Sequence, residues 1–134
     1  MKAPVDTIRL TNSAREKLIQ LKRITGIEHW NSLCRWGFCF AVATRLEPTG
    51  KEMTERCNTE MSWSTFAGEW EDLFAGLALA GWQTAQELNP EVTAADYFNS
   101  MLDLGIAMLH QTVVEKDPSC VNTLVSVGVG EYPQ

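Results

Sequence analysis

The chain has 134 residues, 45% of them hydrophobic and 21% charged, which suits one globular domain, residues 1–134, and excludes a disordered tail. No apolar run approaches the roughly 18 residues of a membrane helix, and the alternating N-terminal segment lacks a signal-peptide core, so we expect a cytoplasmic protein. Averaged over the chain, the net charge of −6 is unfavourable for nucleic-acid binding.

The charges are unevenly distributed along the chain. Residues 1–45 hold eight basic and three acidic side chains, a net charge of +5. Residues 46–134 hold three basic and fourteen acidic side chains, a net charge of −11. We therefore divide the domain into a basic segment, 1–45, and an acidic segment, 46–134. This asymmetry suggests that one face of the protein binds an anion and that the acidic face points away from that anion.

The basic segment predicts a strand and then a capped helix. Residues 5–11 alternate between apolar and polar side chains, which is the period of a half-buried strand. The helix is expected to begin with a capping box between Ser13 and Glu16 and to end at Gly26. Its apolar stripe is formed by Ala14, Leu18, Leu21 and Thr25.

A second helix is predicted over residues 28–43, and it is apolar around most of its circumference. Such a helix must be covered on nearly every side, and in so short a chain we expect a second copy to supply the cover. The order strand, helix, helix is that of a ribbon-helix-helix module, in which two chains pair their strands and pack their second helices together. A homo-oligomer is therefore predicted.

The acidic segment predicts a mostly helical remainder. Residues 44–62 are polar and rich in turn formers, and we expect a loop or an insertion there. One helix is expected over residues 68–87. A further helix, capped by Thr93, is expected to extend to about residue 113. The valine-rich residues 122–129 favour a short strand. The predicted fold class is mainly α with minor β, a ribbon-helix-helix-like start followed by a helical C-terminal part.

No catalytic or metal-binding pattern is present in the sequence. The chain lacks a nucleophile elbow, a phosphate-binding loop and a zinc-protease motif. Its four cysteines form no C-x-x-C pair, and Cys34 and Cys39 match only the opening of a ferredoxin pattern. We expect buried free thiols, no cofactor, no metal and no enzymatic activity.

Basic side chains are arranged in a regular way on the first helix. At 100° per residue, Arg15 and Lys22 lie along one edge of the apolar stripe, Lys17 lies along the other, and Arg23 lies on the outside. An ordinary solvated helix face would look similar, and composition alone favours that interpretation. The near absence of acidic side chains in this stretch favours an anion-binding face instead.

Several segments of the first 43 residues resemble a known family. They read APVDTIRL at 3–10, AREKL at 14–18, LKR at 21–23, TGI at 25–27 and HWNSLCRW at 29–36. Here the chain closely resembles the DNA sulfur modification family DndE of bacterial phosphorothioation systems. In these systems sulfur replaces a non-bridging phosphate oxygen of DNA.

The resemblance implies a non-catalytic subunit, because partner proteins, a cysteine desulfurase and iron–sulfur enzymes, mobilise the sulfur. It also implies a homotetramer that binds double-stranded DNA, prefers nicked duplex and uses surface lysines in the contact. The corresponding residues of this chain are Lys17, Lys22 and Arg23 of the first helix, with Arg15 and Arg9 as neighbours.

Two other functions remain open at this stage. The chain could be a scaffold that contacts only other proteins of the modification complex. It could also be a ribbon-helix-helix transcriptional repressor that reads the major groove through Thr7, Arg9 and Thr11.

Overall fold

A computed structural model describes residues 2–45 and 56–115 as a mainly helical domain with a small sheet. In chain order the elements are β1 (Thr7–Thr11), α1 (Asn12–Thr25), α2 (Trp30–Ala43), β2 (Arg56–Ser62), the short α3 (Trp63–Ala67), a 3-10 turn (Gly68–Trp70), α4 (Glu71–Leu88) and α5 (Ala94–Glu115). The predicted fold class, mainly α with minor β and a strand-helix-helix start, is confirmed. The strand predicted at 122–129 lies outside the described residues.

The sheet joins two strands of the same chain. β1 pairs antiparallel with β2, and Thr7 lies opposite Ser62. The prediction of a loop over residues 44–62 is therefore wrong for 56–62, while 46–55 lie outside the described residues. The ribbon expected between two chains is formed here within one chain. β2 was missed because its sequence, RCNTEMS, is mostly polar and a long connection separates it from β1.

α1 begins directly where β1 ends. Its N-cap is Thr11, whose Oγ1 accepts a hydrogen bond from the backbone N–H of Ala14 at 3.0 Å. The capping box expected at Ser13 is wrong, because α1 already begins at Asn12 and Ser13 lies inside the helix, where its hydroxyl accepts from Nζ of Lys17. The predicted end at Gly26 is confirmed, since Gly26 has a φ of 76° and donates its N–H to the carbonyl of Lys22.

Thr11→Ala should lower the free energy of unfolding by about 1–2 kcal/mol, because the helix would lose its cap at a position that is only 2% exposed. Urea denaturation followed by tryptophan fluorescence measures the change. Ser13→Ala is the matched control, with an expected loss of less than about 0.5 kcal/mol because Ser13 is exposed. A larger loss in Ser13→Ala than in Thr11→Ala would place the cap at Ser13, and equal losses would contradict Thr11 as the cap.

α2 packs mainly against α5 of its own chain. The buried residues of α2 lie along one side of the helix and are Leu33, Cys34, Gly37, Phe38 and Ala41. Trp36, Cys39 and Phe40, on the flank and back of the helix, pack against the core but are only partly buried, and we call them the partly buried side of α2. Much of the cover that we expected from a second copy is thus supplied by the 22-residue helix α5. Self-association remains a prediction for the partly buried side.

An aromatic cluster forms the centre of the core. Its members come from α2, α3, α4 and α5 and are Phe38, Trp63, Phe66, Phe74 and Phe98, with neighbouring ring centroids 5.1 to 6.1 Å apart. The helix predicted over 68–87 is confirmed from Glu71 onward, whereas α3 was not predicted. The Thr93 cap of α5 is confirmed, since its Oγ1 accepts from the N–H of Asp96 at 3.0 Å.

No helix within residues 2–45 and 56–115 combines the length and the apolar character that crossing a bilayer requires.

Candidate nucleic-acid interface

The exposed side of α1 carries three of the five predicted DNA-contacting residues. Ala14, Leu18 and Leu21 turn the opposite side of the helix into the core. The α1 outer face, as we name it, consists of the exposed residues Arg15, Ile19, Lys22 and Arg23. At 100° per residue these four side chains span roughly 100° of the helix circumference. The core thus fixes which side of α1 faces solvent.

The charges of the α1 outer face are available to a ligand. Among the described residues, no acidic side chain forms an ion pair with Arg15, Lys22 or Arg23. Lys22 and Arg23 lie in the last turn of α1, where positive charge is stabilised by the negative end of the helix dipole. Glu16 lies at the border of the face, three residues before Ile19. The face is therefore a compact cationic surface with an acidic residue at one edge.

Arg9 is separate from this face and is partly neutralised. It lies on β1, and its Nη2 is 3.3 Å from Oε2 of Glu60 on β2 in an exposed ion pair. Exposed ion pairs contribute little to stability, so phosphate could compete with Glu60 for this guanidinium. Arg9 is consequently a weaker candidate for DNA contact than the residues of α1.

Lys17 lies on the other edge of α1, against α5. Its Nζ donates to Oγ of Ser13, and it lines an open cavity of about 190 Å³ between the two helices. The lining residues are Thr11, Ser13, Ala14, Lys17, Asp103, Leu104 and Ala107. Because Asp103 contributes a carboxylate to this cavity, the surroundings of Lys17 are less favourable for a phosphate than the α1 outer face.

His110 does not extend the positive surface around Lys17. Its Nε2 donates to Oε1 of Gln20, an oxygen that can only accept. Partial burial and, second to it, the nearby positive charge of Lys17 lower the pKa of His110 from its ordinary value of 6.5. The imidazole is therefore uncharged at neutral pH.

The cysteines within the described residues are not organised for metal binding. Cys34 is buried, as predicted, and burial together with the charge of Asp103 raises its pKa to about 12, so the thiol stays protonated. Cys39 is partly buried, and burial raises its pKa as well. Cys120 and the side chain of Cys57 lie outside the described residues. Within the described part of the chain, no group of three histidine, cysteine or acidic residues could hold a metal ion.

The structure also shows exposed apolar side chains that sequence reasoning missed. Ile19 lies in the middle of the α1 outer face and is 43% exposed. Trp70 and Leu73 are exposed at the start of α4. The sequence pattern had placed them among the apolar residues of the helix predicted over 68–87. The helical wheel that placed Arg15 and Lys22 also places Ile19 between them and Arg23, so that signal was available in the sequence.

Comparison with known proteins gave one informative result. A family model described as DNA sulphur modification protein DndE matches residues 7–117 of the chain. The match covers both strands and all the helices described above. Neither the comparison with curated proteins nor that with solved structures found a significant match.

Proposed function

This chain belongs to the DndE family of DNA sulphur modification proteins, and from that membership we propose that it is a non-catalytic subunit that binds double-stranded DNA. The observation that carries the proposal is the α1 outer face, where three exposed cations without an acidic partner among the described residues lie on one side of one helix. The net charge of −11 on the acidic segment repels the phosphates of DNA, so the DNA backbone should approach the basic segment.

The dimensions of α1 suit a run of phosphates. Arg15 and Arg23 are eight residues apart, which corresponds to about 12 Å along the helix axis. Three cations spread over that length can contact the phosphates of more than one nucleotide. Contacts of this kind fix the position of a protein on DNA without reading its sequence.

Self-association would multiply this surface, and we propose a homotetramer. The partly buried side of α2, with Trp36, Cys39 and Phe40, supports self-association because it is apolar and not fully covered within the chain. Several copies of a weak cationic face can act together and bind far more tightly than one copy.

The proposed preference for nicked duplex follows from the flexibility of the DNA. A break in one strand allows the duplex to bend at low cost. A rigid surface built from several copies could then engage phosphates on both sides of the break. Intact duplex would need a larger deformation energy to make the same contacts.

The structure disfavours the repressor alternative. Thr11 is buried and its hydroxyl caps α1, so it cannot read a base edge. Arg9 is paired with Glu60, which makes it a weaker base-reading residue, and β1 pairs with β2 of its own chain, whereas the ribbon of a ribbon-helix-helix module joins strands of two chains. A scaffold function is the second candidate, and the exposed Trp70 and Leu73 favour it because large exposed apolar side chains often mark protein contacts.

A light-scattering mass measurement combined with a salt titration tests the proposed function. We expect the mass of four chains, binding to both duplexes, and tighter binding to a nicked duplex than to an intact one of the same sequence. Affinity should fall steeply with salt, with a logarithmic slope of about −0.9 for each phosphate contacted. A monomer, or affinity that does not change with salt, would contradict the proposal.

A further inference from the structure

Ile19 is an apolar side chain at the centre of a cationic surface. It follows Arg15 by four residues and precedes Lys22 by three and Arg23 by four, so each cation is about one helical turn away. The other large hydrophobic side chains that are exposed within the described residues all belong to the acidic segment and are Trp70, Leu73, Leu88 and Val114. Ile19 therefore combines exposure with a basic environment in a way that they do not.

The core of the chain does not account for Ile19. The fully buried side chains of α1 are Ala14, Leu18 and Leu21, on the opposite side of the helix. With 43% of its surface exposed, Ile19 leaves much of its apolar area in contact with water. That area stabilises a complex only if a ligand covers it with apolar surface of its own.

Duplex DNA offers apolar surface in particular places. The phosphates are outermost, and stacking covers the faces of the bases. Where stacking is interrupted, base faces and sugars become accessible, and exposed isoleucine, leucine and phenylalanine side chains are known to enter such steps. A strand break lowers the cost of opening the step at the nick.

We propose that Ile19 contacts the base and sugar surface that opens at a strand break, while the surrounding cations hold the flanking phosphates. This inference rests on the proposed DNA-binding function and deepens it. The three cations supply affinity for any duplex, since phosphates are present in all of them. Ile19 adds discrimination to that given by the easier bending of nicked duplex, since its contact forms only where a base step is open.

The test compares Ile19→Ser with wild type on nicked and intact duplexes of one sequence. We expect affinity for nicked duplex to fall about fivefold to tenfold, the amount expected when burial of part of an isoleucine side chain is lost. Affinity for intact duplex should change by less than about twofold, because that complex lacks the apolar contact. Ile19→Leu should keep most of the discrimination, because leucine has a similar apolar area.

Leu88→Ser is the matched control, because Leu88 is 78% exposed and lies at the end of α4, in the acidic segment. It should leave both affinities unchanged. Circular dichroism and thermal unfolding establish that each variant is folded, as expected for substitutions of exposed side chains.

The outcomes separate this inference from the function on which it rests. Equal losses on both duplexes, or no loss on either, would overturn the role of Ile19 while DNA binding by the α1 outer face stands. Wild-type protein that binds both duplexes equally well would overturn the role of Ile19 together with the proposed preference for nicked duplex, while DNA binding itself stands. Wild-type protein that binds neither duplex would instead refute the proposed function.

Discussion

Replacement of Arg15, Lys22 and Arg23 together by glutamine should weaken duplex binding by about 100-fold at moderate salt. The slope of log affinity against log salt concentration should also become shallower, because each lost phosphate contact removes about 0.9 from it. Three lost contacts remove about 2.7 for each chain that contacts DNA. Glutamine keeps much of the side-chain length and a high helix propensity, so the change removes charge and little else. Fluorescence anisotropy over a range of salt concentrations measures both effects.

The matched controls are the single variants Lys22→Gln and Lys17→Gln, which remove the same charge from opposite edges of α1. Lys22→Gln should reduce affinity about fivefold, and Lys17→Gln by about twofold or less, because Lys17 shares its surroundings with Asp103. Equal losses would show that both edges of α1 meet the DNA. A triple variant that binds as wild type does would refute the α1 outer face as the contact surface.

The arrangement of α1 could be predicted because it is local. A helical period and a terminal glycine are enough to place Arg15 and Lys22 on one edge and Lys17 on the other. The cap was placed two residues too late because threonine and serine are both good caps. The choice between them depends on where β1 ends, and strand alternation alone does not define that point.

The long-range pairings could not be predicted in the same way. β2 has few of the apolar side chains that mark a strand, and its position depends on pairing with β1, far away in sequence. For α2, the sequence showed that much of the helix must be covered, but α5 and a second copy would satisfy that requirement equally well. The sequence thus showed that 56–62 is polar and that α2 is apolar over most of its surface. It did not show which elements would pack against them, because that depends on the tertiary structure.

The crossing of α2 and α5 depends on two glycines that face each other. A methyl group built on Gly105 would overlap the backbone carbonyl group of Gly37, and it would lie 3.2 Å from Cβ of Ala41. The obstacle at Gly37 is backbone, so a change of rotamer cannot relieve the overlap. The two helices would have to move apart, and the packing of Phe38 and Ile106 beside them would loosen.

Gly105→Ala should therefore lower the free energy of unfolding by about 3 kcal/mol. Helix propensity alone predicts the opposite sign, a gain of about 1 kcal/mol, because alanine is the better helix former. The steric effect should prevail, since this crossing joins the two helices with the most extensive packing in the described structure. Urea denaturation at one fixed protein concentration measures the difference, with Gln111→Ala on the exposed side of α5 as the control. A Gly105→Ala variant as stable as wild type, or more stable, would show that α2 and α5 do not approach this closely.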